Sequence, residues 1–329
     1  NAAADQRTTG DEQIHVYILR RLVLLVPTIL GVTFAVFIVV RLLPGDAIDQ
    51  IISDQADATP EYRASVEERL QLNRGVPQAF AEWLVALGQF DFGSSFVNER
   101  PVTEQLQGRI PVTFQLGIMA MIYSIGIAIP IGVISAIRQD SAIDYVMRSF
   151  AIAALAIPSF WAGQMAIVYG FEWFRWTPPL EYEFLWDNPL DNLRTTWVPA
   201  IILGSFLSGS VMRLTRSTML EVMRQDYVRT ARAKGLTERL VVTRHALRNA
   251  VLPVITVIGL QVSVLISGTV VLERIFTLPG MGTLLLFSLE RRDYPTVQAI
   301  VLLAAMLVLI TNLIVDLSYA FIDPRIRYS

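Results

Sequence analysis

Residues 221–253 read EVMRQDYVRTARAKGLTERLVVTRHALRNAVLP, a basic stretch set between two long apolar runs. Arg224, Arg229, Arg232, Lys234, Arg239, Arg244 and Arg248 face only Glu221, Asp226 and Glu238. Ala231, Ala233, Leu236, Leu240, Val241 and Ala246 recur at roughly helical spacing, which predicts a helix, a turn and a second helix. Gly235 is the expected turn, because only glycine enters the left-handed region without a steric penalty. Thr237 is expected to cap the second helix by offering its side-chain oxygen to an orphaned backbone N–H. One reading of such a basic loop between membrane spans is positive-inside charge and contact with lipid headgroups.

The rest of the chain makes a membrane setting necessary. Its 329 residues are 53% hydrophobic and only 17% charged, too apolar for an ordinary soluble protein. A net charge of −2 conceals a strong segregation of charge between loops. There is no cysteine, which excludes disulfides, thiolate nucleophiles and cysteine metal sites. His15 and His245 lie in polar or basic flanks and read as neither metal ligands nor catalytic bases. Lys234 is the only lysine and sits in ARAKG, outside any phosphate-binding GxxxxGK[ST] loop, so the chain cannot hydrolyse ATP by that route.

Outward from the basic loop, six spans are expected with both termini on the cytoplasmic side. A polar tail, residues 1–16, precedes the first span within 17–43; its apolar run Leu22–Val40 is long enough to cross about 30 Å of hydrocarbon. Residues 44–110 form an insertion with eleven acidic residues against five basic between Asp46 and Arg109, which assigns it outside. Glu61–Leu72 and Gln78–Leu87 read as helices within it, and Phe90–Ser95 as a turn. A solvated cap and a contact surface are both open readings of this insertion.

Residues 111–329 form the remaining core. Spans are expected at Val112–Ile137, Phe150–Phe174, Trp197–Met212, Val251–Leu272 and Val297–Tyr319. An inside loop is expected at Arg138–Arg148, and the basic loop takes about 213–250. Ile157-Pro158-Ser159-Phe160-Trp161 predicts a kink within the third span, whose outer end is marked by Trp173 and Trp176. Gly259, Gln261, Ser263, Ser267 and Gly268 form a small or polar stripe on the fifth. Pro158, Ser159, Trp161, Gln261, Ser263 and Ser267 are therefore candidate path-lining residues, with helix packing the equal alternative. Asp316 is the one charge placed near a span interior.

The basic loop also resembles the cytoplasmic signature loop of ABC-importer permeases, whose pattern is Glu-Ala-Ala, three residues, Gly, a spacer, then an apolar residue and Leu-Pro. Thr230-Ala231 stand at the two alanine positions, Gly235 at the glycine and Leu252-Pro253 at the Leu-Pro. Arg229 replaces the glutamate and the spacer is long; both departures resemble the dipeptide/oligopeptide branch, whose phrase DYVRTARAKGL is matched from Asp226 to Leu236. ILRRL, LLPGD, LPG, RDYP and DPRIR extend the resemblance from Tyr17 to Arg327.

That resemblance implies an all-α membrane protein of the type I ABC-importer permease fold, with a helical external insertion between the first two spans. It implies a coupling loop of Asp226, Tyr227, Arg229, Thr230, Ala231, Arg232, Ala233, Lys234, Gly235 and Leu236, with Ala231 as a small contact to the ATPase. The implied partners are a homologous second permease subunit, two ATPase subunits, an external substrate-binding protein and the lipid bilayer, with no nucleic acid. ATP and Mg would belong to the ATPase partners, leaving this chain without cofactor, metal or catalytic residues. The cargo implied is a di- or oligopeptide, with nickel complexes or oligosaccharides as alternatives. A secondary transporter would more commonly show internal repeats or charges buried mid-span. An intramembrane protease would need a nucleophile–base pair or a metal set within the spans, and no His, Cys or HExxH is placed there.

Overall fold

The computed structural model describes residues 23–42, 75–179 and 181–322. The polar tail, the LLPGD turn, the expected helix Glu61–Leu72 and the closing DPRIR lie outside those residues. Among these residues the helices are, in order, α1 (Val23–Leu42), α2 (Val76–Gly88), α3 (Val102–Gln107), α4 (Ile110–Ile137), α5 (Ala142–Ala156), α6 (Ser159–Phe174), α7 (Pro189–Met223) and α8 (Asp226–Ala233). Then come α9 (Glu238–Leu240), a π-helical turn at Val241–Ala246, α10 (Leu247–Ile275), α11 (Met281–Glu290) and α12 (Tyr294–Ile322). The only β pairing among the described residues is one bridge between Ser94 and Pro101. Among the same residues five helical segments are long and apolar enough to cross a membrane, and a sixth exists if α5 and α6 count as one span.

That pair corrects the expected third span. Instead of one kinked helix, α5 and α6 meet at 98°. A residue before proline is driven out of the helical region, and Ile157 and Pro158 are successively extended, with ψ 116 and 133. Two extended residues in a row turn a corner where one would bend a helix. The expected loop Arg138–Arg148 is shorter too, because Ser141 caps α5 by accepting the Asp144 N–H.

The fourth span is likewise longer than expected, 35 residues rather than the apolar middle Trp197–Met212. Asn188 caps its start and Pro189 occupies the first turn, where its missing N–H costs nothing. Arg213 and Arg216 do not end it, since arginine is a good helix former and nothing before Met223 breaks the backbone.

One compact unit comprises Val112–Pro279 and Ile314–Ile322. Val112, Leu116 and Ala120 from α4 meet Ala200, Leu203 and Leu207 from α7 and Leu265 and Leu272 from α10. The spacing of three, four or seven puts each set on one helix face. Small residues bring the axes together: a Cβ on Gly204 would lie 2.5 Å from the Ala120 carbonyl oxygen, and one on Gly209 would lie 2.7 Å from that of Ala151. Trp176, half-buried, packs over Gly170, while Trp173 stacks on Tyr169 at 4.8 Å and stays exposed.

The other unit gathers α1 to α3, α11 and α12 up to Leu313. Phe37 of α1 packs against Phe80 and Trp83 of α2, and Val102 and Leu106 of α3 share a core with Met281, Leu284, Ala299 and Ile300. The turn at 90–95 is held by Asp293, which accepts from the Ser95 hydroxyl at 2.5 Å and the Phe96 N–H at 2.9 Å.

Candidate functional site: an anchored helical elbow

The basic stretch is built as an elbow rooted in two long helices. α7 ends at Met223, and Gln225, extended at ψ 148, redirects the chain into α8. Asp226 lies in the first turn of α8 and Arg232 in the last, each complementing the helix dipole. Val228 and Ala231, three residues apart, bury against Val241, Val222, Met223 and Leu236. The opposite face, with Tyr227, Arg229, Thr230, Ala233 and Lys234, is exposed. Ala231 is therefore not an outward contact as its motif position implied. At 6% exposure it holds α8 to its own base.

Gly235 makes the turn as expected, at φ 78. Its N–H donates to the Arg232 carbonyl at 2.9 Å and the Leu236 N–H to the Ala231 carbonyl at 3.4 Å. These are the two bonds of a Schellman stop, and the Leu236–Ala231 contact supplies its apolar clasp. Thr237 stands at the cap position, but its hydroxyl makes no capping bond. The donor it would have taken, the Leu240 N–H, goes at 2.9 Å to the Thr237 backbone carbonyl instead.

A strap crosses the turn where that cap was expected. Arg232 donates Nη2 to Glu238 Oε1 at 2.7 Å and Nε to Oε2 at 3.1 Å. That hydrogen bond raises the Arg232 pKa above its ordinary value. The two side chains are 40% and 53% exposed, so the strap shapes the loop more than it stabilises it. Glu238→Gln is expected to change stability by only about 0.2–1 kcal/mol, read as a nearly unchanged unfolding midpoint. A large drop would show that the strap holds the loop together.

The far side of the elbow is fastened by other contacts. Asn249 donates to the Tyr227 hydroxyl at 2.8 Å, linking α8 to the start of α10. Val242, Ala246 and Ala250 pack on Met219 of α7 and Ala136 of α4. The elbow is thus a stiff element whose exposed face carries Arg224, Arg229, Lys234, Arg239, Arg244 and Arg248.

The path-lining candidates are distributed differently. Gln261 is buried and donates to the Leu207 carbonyl at 2.7 Å and the Ser210 hydroxyl at 2.5 Å, so it binds α10 to α7. Ser263 is half-buried, and Ser267 is exposed with its hydroxyl 3.5 Å from the Ser263 carbonyl. Pro158 and Ser159 form the α5–α6 corner, with Trp161 48% exposed just beyond it.

Buried charge escaped the sequence reading. Asp144, Glu273 and Asp293 are all nearly or fully buried, and Glu273 accepts from Thr113 at 2.7 Å. No local signal marked the first of these, since Asp144 lies 72 positions from the Arg216 it pairs with. At the other end of α7, Asn192 is buried among Gln115, Tyr182 and the Glu183 carbonyl.

Long apolar helices thus carry a stiff, exposed, basic elbow. The chain belongs to the family of binding-protein-dependent transport system inner membrane components, which residues 128–328 match. It is 38% identical over 335 residues to the dipeptide transport system permease protein DppB of Escherichia coli (strain K12), covering 95% of this chain and 98% of that protein. It is 40% identical over 321 residues to the oligopeptide transport system permease protein AppB of Bacillus subtilis (strain 168), covering 95% and 99%. A solved amino acid ABC transporter is similar at a TM-score of 0.48 and 16% identity, over 66% of this chain and 93% of that one.

Proposed function

We propose that this chain is the membrane-spanning permease subunit of an ATP-driven importer of di- and oligopeptides, with Asp226–Leu236 as its handle for an ATPase. The observation that supports the handle is the elbow itself: α8 is anchored on one face by Val228 and Ala231 and exposed on the other. A connector serving only charge balance has no need of a Schellman stop, a strap and a Tyr227–Asn249 pin. The peptide cargo follows from the relatives, which are permeases for dipeptides and oligopeptides along nearly their whole length.

In this reading a homologous second permease subunit completes the path, and two ATPase subunits hold ATP and Mg. An external binding protein delivers cargo. Closure of the ATPases moves the elbow as a rigid body and alternates access through the spans. This chain contributes binding and motion, and hydrolysis belongs to its partners. The test is reconstitution of the complex in vesicles with uptake of labelled dipeptide. Uptake is expected to require ATP and the binding protein; uptake without either would overturn the reading.

The basic elbow is assigned to the cytoplasmic side together with both termini, and the acidic segments to the outside. Because the chain has no native cysteine, introduced ones report without background. Asp187→Cys, on an exposed turn, is expected to react with an impermeant thiol reagent in intact cells, and Arg239→Cys to be protected. Reaction at Arg239→Cys from outside would reverse the topology.

A further inference from the structure

We infer that the Asp144–Arg216 pair is the joint that makes α5 travel with α7 and the elbow during transport. The inference rests on the proposed role of the elbow as an ATPase handle. Asp144 is fully buried and every lone-pair direction of its carboxylate is used. Oδ1 accepts from Arg216 Nε at 2.8 Å and from the Ser135 hydroxyl. Oδ2 accepts from Arg216 Nη2 at 2.7 Å and from the Asp140 N–H at 3.0 Å. One carboxylate thereby ties together the end of α4, the turn after it, α5 and α7.

The geometry of the tie matters as much as its strength. A guanidinium fork meeting a carboxylate with two parallel bonds fixes an angle as well as a distance. The surrounding contacts among Ala128, Ala151, Val211, Met212 and Val254 are apolar and carry no directional bond. Separating the pair would strand the fully buried Asp144 carboxylate without its guanidinium, a costly loss even though Arg216 itself keeps 21% of its side chain exposed. The pair therefore adds a fixed angle between α5 and α7 to the close packing of Gly209 against Ala151.

The position of the joint connects it to the elbow. Arg216 lies about two turns before the end of α7, and Met219, one turn further on, packs against Val242, Ala246 and Ala250 beneath the elbow. Force on α8 reaches α5 through this short path, and then α6 across the 98° corner. Asp144 and Arg216 are positioning residues that act through the helices they join.

A purely structural weld is distinguishable from a joint. Replacing a buried ion pair by apolar side chains of similar size commonly leaves stability unchanged or improved. The double variant Asp144→Leu/Arg216→Met is therefore expected to insert, assemble and melt as the parent complex does, while uptake per ATP hydrolysed falls by about tenfold or more. Arg216→Lys, which keeps the charge and loses the fork, should fall between the two.

Spin labels at Val146 on α5 and Ser217 on α7, both exposed, test the motion directly. In the parent complex their distance should be the same without nucleotide and with nucleotide trapped, and in the double variant the two states should diverge. Parent-like uptake per ATP in the double variant, or a parent distance that changes with nucleotide, would overturn the joint. The handle reading fails on a different measurement, parent-like coupling in Gly235→Val, so the two failures are read on separate variants.

Discussion

Gly235→Val is expected to abolish peptide uptake while leaving the protein inserted, folded and assembled. The residue sits at φ 78 in the left-handed region, and a Cβ built there meets nothing within 4 Å. The whole cost of valine is therefore conformational, about 1–2 kcal/mol for a side chain forced into that region. A bundle of this size absorbs such a cost, because the turn lies outside every buried cluster but the small one at the base of α8. The elbow does not absorb it. Relief of the strain requires unwinding the Schellman stop, which changes the angle between α8 and the chain returning to α10. Every exposed side chain of α8 then moves relative to the ATPase surface proposed to bind it. Reconstituted complex should show loss of uptake and of stimulation of ATP hydrolysis by loaded binding protein, with an unfolding midpoint close to the parent. Normal coupling in this variant would reduce the elbow to a basic connector.

The opposite outcome is expected for Gly204→Val, where the glycine is needed for space. A Cβ there would stand 2.5 Å from the Ala120 carbonyl oxygen and 2.8 Å from the Tyr123 ring. The ring can swing aside, but the carbonyl belongs to the α4 backbone and cannot move without the helix. Overpacking of this kind costs typically 1–3 kcal/mol and more where backbone must shift. Gly204 also faces the largest apolar cluster, so the cost falls on the packing of α4 against α7. Detergent-solubilised variant should show a clearly lowered unfolding midpoint and poor yield, with whatever folds still able to stimulate hydrolysis. A parent-like midpoint would mean that α4 and α7 do not pack as closely as described.

The two glycines illustrate what a sequence discloses. Gly235 was legible because its neighbours stop a helix locally, and the left-handed requirement follows from the adjacent residues alone. The spans were legible for the same reason, since apolar run length is a local property. The corner between α5 and α6 was only half legible: Pro158 announces a break, but the 98° angle follows from two extended residues together. The start of α7 was announced by Asn188-Pro189 and hidden by the charges at Asp187, Asp191 and Arg194, while Arg213 and Arg216 hid its end. Asp144 and Arg216 stand 72 positions apart, and no local pattern says that they meet. Ala231 shows a related limit. Its motif position indicates importance, yet only the packed structure shows that it faces inward.

The length of α7 has a mechanical consequence. An unbroken helix of 35 residues is roughly 52 Å from end to end at ~1.5 Å per residue. The hydrocarbon layer it crosses is only about 30 Å thick, so the helix must lean or project beyond it. Pivoted near one end, such a rod converts rotation into travel: a swing of about 5° would carry the other end roughly 4–5 Å, close to one helical turn. Pro199 lies near the Asn192 cluster, and the elbow lies at the far end. Modest rotation at the Asn192 end would thus become a full stroke where the basic face is exposed, and the same gearing run backwards would turn a stroke at the elbow into a small, forceful adjustment at the Asn192 end.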